Sequence, residues 1–194
     1  MRRAKVARKT KETNISIEIN LDGTGVYSVK TGIGFMDHML ELFSKHSLID
    51  LKLSAKGDLQ VDYHHTVEDI GIALGEALDS ALGTRKGINR YGCSYVPMDE
   101  ALCRTVIDLG GRPKLVKAMV CKKQKIRDFD VSLIDEFLEG FVVKARMNLH
   151  IDQLKGGEAH HAYESVFKSF ARALRQACER DSRNKSLPSS KGKI

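Results

Sequence analysis

Tryptophan is absent from the 194 residues, and aromatics of any kind make up only 6% of them. Basic residues do not alternate with aromatics, the pattern that stacking on single-stranded nucleic acid favours, so no nucleic-acid partner is expected. Also missing is any run of about eighteen apolar residues, which excludes a membrane-spanning helix and a membrane partner. The basic N-terminus, MRRAKVARKTKE, lacks the apolar centre of a signal peptide. Cysteine is scarce: Cys93, Cys103, Cys121 and Cys178 fall in no CxxC pair. They read as reduced thiols of the cytosol or an organelle stroma, and the location expected is cytoplasmic.

Hydrophobic residues form 42% and charged residues 29% of the chain, ordinary for a globular protein. The length suits one large domain or two half-domains sharing a core. A net charge of +7 points to anionic partners, and a phosphorylated small molecule is favoured among them.

The chain is organised around a motif that occurs twice. His64-His65-Thr66-Val67-Glu68 and His160-His161-Ala162-Tyr163-Glu164 both read HHxxE, 96 residues apart. Each opens a run of helical periodicity, the first through Ile70, Leu74, Leu78 and Ala81, the second through Val166, Phe167, Phe170 and Leu174. On a helix, positions i and i+4 share a face while adjacent residues diverge by about 100°. His64 with Glu68, and His160 with Glu164, can therefore each chelate one metal, while His65 and His161 point elsewhere.

Around the motif the pattern of elements also repeats. Ile15, Ile17, Ile19 and Leu21 alternate with polar residues as a half-buried strand. Asp22-Gly23-Thr24-Gly25 turns, and Val26 to Val29 returns as a hairpin. A helix over Phe35 to Phe43 follows, then Leu48 to Leu53, a turn, and Leu59 to Tyr63 as a further strand before the first HHxxE helix. After Gly83 the order restarts with strands over Tyr95-Val96, Cys103 to Leu109, Lys114 to Cys121 and Ala145 to Asp152. Leu133 to Phe141 takes the place of Phe35 to Phe43.

The expected fold is α+β, an internal duplication of two half-domains. Each is a small, about four-stranded mixed β-sheet with two helices packed on one face. The halves cover about 9–87 and 88–181, and a flexible basic tail covers 182–194.

Imidazole and carboxylate donors together suit Mn, Fe, Co, Ni or Zn, and the lack of thiolates in the pattern disfavours a structural zinc site. His38, His64, His65, His160 and His161 all fall on the repeated helix starts. His46, near a helix end, reads as a cap for the last carbonyls, and His150 as a strand residue outside ligation.

Five segments carry a resemblance to a known family. They are Phe35-Met36-Asp37-His38-Met39-Leu40, Asp62-Tyr63-His64-His65-Thr66-Val67-Glu68-Asp69, Met98-Asp99-Glu100-Ala101, Gly157-Glu158-Ala159-His160-His161-Ala162-Tyr163-Glu164 and Leu187-Pro188-Ser189-Ser190-Lys191-Gly192. From about Arg8 to its last residue the chain resembles imidazoleglycerol-phosphate dehydratase. The resemblance implies a ribosomal protein S5 domain 2-like fold. It implies dehydration of imidazole glycerol phosphate to imidazole acetol phosphate, the sixth step of histidine biosynthesis, with two Mn²⁺ ions per active site. It also implies active sites at the subunit contacts of a hollow homo-oligomer, trimer-based with twenty-four subunits.

The family's metal ligands fall on His38, His64, His65, Glu68, His160, His161 and Glu164. Many members carry a histidine where this chain has Glu136, inside Ile134-Asp135-Glu136-Phe137. Glutamate is a harder oxygen donor that still ligates Mn²⁺, so Glu136 is expected as the eighth ligand. In the implied chemistry, metals on both imidazole nitrogens favour the imidazolate, which expels the adjacent hydroxyl to give a diazafulvene-like intermediate. The hydrogen on C2, not acidic in the substrate, then becomes removable by a carboxylate.

The family's acid/base glutamate matches Glu12, and Glu68 and Glu164 complete the catalytic carboxylates. Substrate contacts are implied for Glu12, Arg90 and Arg112, and for Ser189, Ser190 and Lys191 in a tail that closes over the phosphate. Lys168, one turn past Glu164, is placed within reach of the same phosphate.

Overall fold

The computed structural model describes residues 1–122 and 124–194. Its first half runs β1 (Arg3–Lys9), β2 (Thr13–Asn20), β3 (Tyr27–Lys30), α1 (Gly34–Ser47), β4 (Asp50–Gly57) and α2 (His64–Leu82). The second half repeats the order with β5 (Tyr91–Met98), β6 (Ala101–Asp108) and β7 (Lys114–Ala118). A short hairpin of β8 (Lys125–Ile126) and β9 (Phe129–Asp130) follows, then α3 (Leu133–Ala145), β10 (Asn148–Lys155) and α4 (Ala159–Cys178).

The two large sheets have the same strand order, β1-β2-β4-β3 and β5-β6-β10-β7, so the duplication extends to topology. In β2 the inward residues Ile15, Ile17 and Ile19 are buried while Asn14 and Ser16 face solvent. Period-two patterning therefore sets which face of the sheet is covered. α2 lies on β1 and β2, α4 lies on β5 and β6, and α1 meets α4 as α2 meets α3. The four helices thus fill the space between the sheets. Phe43 from the first half packs against Phe141 and Phe170 from the second, and all three are buried. One core serves both halves.

α2 and α3 approach closely because Gly71 and Gly75 offer no side chain. A Cβ at either would run into a carbonyl of α3, that of Phe137 or of Phe141.

Three expectations need correction. The first half begins before residue 9: Arg3–Lys9 is a strand that pairs antiparallel with β2, Ala4 opposite Ile19 and Lys9 opposite Asn14. β3 does not form a hairpin with β2 but pairs parallel with β4, Tyr27 opposite Leu51. A parallel pair needs a long crossover, and α1 supplies it. β7 and β10 repeat the parallel arrangement. Finally, residues 59–63 are turn rather than strand, with Val61 N–H donating to Asp58 O at 2.8 Å; α2 starts directly after it.

Arg85 closes the junction between the halves. Its guanidinium is 3% exposed, pairs with Asp79, and donates to the carbonyls of Leu109, Ala145 and Arg146 at 2.9, 2.7 and 3.0 Å. Arg85→Met strands these acceptors and should cost about 3 kcal/mol in denaturant unfolding. A loss under about 0.5 kcal/mol, as for an ordinary surface change, would contradict the role.

Candidate metal centre and active site

Carboxylates fix the approach to α1 and the cap of α4, two of the three helix starts that carry the histidines. Asp37 accepts from Thr31 N–H at 2.8 Å and Thr31 Oγ1–H at 2.7 Å, tying the approach to α1. Glu158 caps α4, accepting from His160 N–H at 2.6 Å and His161 N–H at 3.4 Å. A carboxylate there satisfies amides that no helical carbonyl reaches.

His38 and His160, from different halves, meet at one carboxylate. Glu164 Oε1 lies 2.9 Å from His38 Nε2 and 3.1 Å from His160 Nε2. Its other oxygen accepts from Lys168 Nζ at 2.5 Å. The His38 and His160 ring centroids are 5.2 Å apart, and Phe35 and Phe129 form an apolar wall beside them. Burial alone would raise the Glu164 carboxyl, but the Lys168 ammonium and then His38 pull it down to about 2. Two imidazole nitrogens and one ionised carboxylate oxygen within 4.8 Å of one another make a donor set that fits a divalent transition metal.

The remaining donors lie elsewhere in the chain. His64 Nε2 is 4.0 Å from Glu68 Oε2, on the i, i+4 face. His65 diverges from it: its Nδ1 is 3.0 Å from Asp58 Oδ2, and its Nε2 is 3.9 Å from Glu12 Oε1. The Asp58 hydrogen bond raises the His65 pKa. His161 repeats the arrangement, Nδ1 lying 3.1 Å from Glu100 Oε2 and Nε2 3.8 Å from Asp99 Oδ2. Its pKa is likewise raised, by Glu100. Among the described residues, two groups of three donors form, His38/His160/Glu164 and Asp99/Glu100/His161. Glu136, half-buried on α3, belongs to neither.

A second concavity gathers the basic residues. Arg90, Arg112, Ser189, Ser190 and Lys191 line a cavity of about 400 Å³ together with Tyr91 and Lys193. Arg90 is held by a bidentate pair with Asp108, at 2.7 and 3.1 Å, and donates to Pro188 O at 2.8 Å, which seats the C-terminal segment. Lys168 does not line this cavity; it contacts Glu164 and Met98 Sδ. His38 and His160 line a different cavity of about 510 Å³ with Tyr63, Arg127 and Asp128.

The imidazoleglycerol-phosphate dehydratase family profile matches residues 31–174. The chain belongs to that family. An imidazoleglycerol-phosphate dehydratase of Nitrobacter hamburgensis is 53% identical over 100% of this chain and 99% of its own length. One from Nitrosomonas eutropha is 55% identical over 99% of each. Among solved structures, the dehydratase of Staphylococcus aureus superposes with a TM-score of 0.83 at 39% identity, covering 92% of this chain and 99% of that one. The dehydratase of Pyrococcus furiosus, in complex with (S)-C348, gives 0.84 at 36% identity, covering 97% and 100%.

For a dehydratase-family chain, three carboxylates beside the histidines went unassigned in the sequence: Asp58, Asp99 and Glu100. Asp58 read as a turn residue. Glu100 had a readable signal, because it stands immediately before the first residue of β6 as Glu12 stands before the first residue of β2. Glu100 is held at about 2 by the backbone amides of Glu158 and of Glu100 itself, then by His161.

A depressed carboxyl contributes stability above its ordinary value of 4.5 and loses it as the pH falls toward 2. In metal-free protein the melting midpoint should therefore fall more steeply from about pH 5 to about pH 3 than in Glu164→Gln. Parallel curves would contradict the pairing of Glu164 with Lys168 and His38.

Proposed function

We propose that this member of the dehydratase family converts imidazole glycerol phosphate to imidazole acetol phosphate and water in histidine biosynthesis, using two Mn²⁺ ions per active site. The observation that carries the reading is the buried Glu164 carboxylate shared by His38 and His160, a metal-fitting donor set built from both halves. His38, His160 and Glu164 would hold one ion; His64, His65, Glu68, Glu136 and His161 are the donors left for the other positions. Bound Mn²⁺ supplies Lewis acidity that lowers the pKa of a ligated imidazole.

The protein's own groups do the rest. Lys168 keeps Glu164 ionised and oriented. Glu12, with its side chain 53% exposed and next to His65, is the carboxylate that takes the C2 proton of the substrate. Arg90, Arg112, Ser189, Ser190 and Lys191 receive the phosphate, and Arg90, fixed by Asp108, also holds the tail in place. Lys168 is a further candidate for that contact from a neighbouring chain.

The phosphate cavity and the His38 group line separate concavities of one chain, and five of the eight metal donors lie outside that group. That separation supports a homo-oligomer in which neighbouring chains complete each site; the trimer-based form with twenty-four subunits is what the family resemblance implies. Product analysis tests the reaction: dehydration gives a ketone-bearing phosphate ester, whereas free inorganic phosphate would mean hydrolysis and overturn the reading.

A further inference from the structure

The duplication places a glutamate at the same point in both halves, and the two are held differently. Glu12 precedes the first residue of β2, and Glu100 precedes the first residue of β6. Glu100 is tied down: its carboxylate accepts from Glu158 N–H at 2.6 Å and meets His161 Nδ1 at 3.1 Å. In the first half Asp58 takes the equivalent imidazole nitrogen, His65 Nδ1, at 3.0 Å. Glu12 is thereby relieved of that duty, and its nearest imidazole nitrogen is His65 Nε2 at 3.9 Å. A carboxylate that must move a proton needs this freedom, but it also needs a fixed backbone.

The first half supplies one. Arg8 Nε donates to Asp69 Oδ1 at 2.7 Å, and Thr13 Oγ1 donates to Asp69 Oδ2 at 2.5 Å. Asp69 and Thr13 are 5% and 4% exposed. Thr10 Oγ1 accepts from the amides of Glu12 and Thr13 at 3.1 and 2.9 Å, closing the turn. Two sides of Glu12 are therefore bonded to the helix that carries His65.

Among the described residues, the second half has no such network at the matching positions. Thr13 corresponds to Ala101, Arg8 to Val96 by strand register, and Asp69 to Ser165, which bonds within its own helix to Ala162 O at 2.7 Å. A merely architectural bond would be expected in both copies. We infer that the Arg8–Asp69–Thr13 network positions Glu12, so that Asp69 and Thr13 are positioning residues for proton transfer in one half only. The inference rests on the acid/base reading of Glu12.

Thr13→Val, nearly isosteric with the native residue, tests it in the assembled, metal-loaded protein. The expected kcat falls about 10–100-fold, since misplacement by about 1 Å costs that much. KM, metal content and assembly stay near the parent's, while the melting midpoint falls modestly because the buried Asp69 Oδ2 loses its donor. Thr13→Ser restores kcat, Asp69→Asn gives the same pattern as Thr13→Val, and Thr13→Val adds no further loss on Glu12→Gln. Parent-like kcat in Thr13→Val, with Glu12→Gln impaired, overturns the positioning role and leaves the acid/base reading standing. A full additional loss in the Glu12→Gln background overturns it too, because the network would then act on something other than Glu12. Normal activity in Glu12→Gln itself would instead overturn the acid/base reading.

Discussion

Glu12→Gln is expected to lower kcat by about 10²–10⁴-fold, the usual contribution of a positioned acid/base group. The side chain is largely exposed, makes no contact with the His38 group, and sits at the end of a hairpin whose fold depends on Thr10, Thr13 and Asp69 rather than on its own carboxylate. Metal content, assembly and melting midpoint should therefore be unchanged. Glutamine keeps the shape and removes the base, so the loss should appear in kcat with KM little altered. Steady-state kinetics beside metal analysis checks this. Turnover within about twofold of the parent would remove Glu12 from the mechanism.

Glu164→Gln is the second large effect. One carboxylate serves His38, His160 and Lys168 at once, and among the described residues no other acid joins that group. The amide loses the negative charge that suits a divalent ion and leaves Lys168 partly buried without its counter-charge. Metal content should fall, and activity should fall about 10³-fold or more, given that Lewis-acid stabilisation is worth several kcal/mol. The fold should survive, because the apolar side chains that α4 gives to the core, Phe167, Phe170 and Leu174, are left unchanged. Full metal content in a well-folded Glu164→Gln would place the metal elsewhere.

Much of this was legible because it depends on local periodicity. The HHxxE spacing put His160 and Glu164 on one face of α4, and the alternation of Ile15, Ile17 and Ile19 set the buried face of β2. What escaped was non-local or weakly patterned. β1 is an edge strand with charged residues on both faces, so its alternation is faint in the sequence. The parallel pairing of β3 with β4 depends on a crossover, which a turn such as Asp22-Gly23 does not reveal. The arrival of His38 beside Glu164 spans 126 residues and follows from α1 packing on α4. Asp58 and Glu100 were missed because a carboxylate in a turn is more often solvated than bonded to a histidine.

The HHxxE carboxylates and histidines are proposed to hold metal for a dehydration. Protein freed of metal with a strong chelator, dialysed, and assayed with imidazole glycerol phosphate should form no ketone-bearing phosphate. Adding back Mn²⁺ should restore its formation together with bound metal. Undiminished ketone formation in excess chelator would contradict the account.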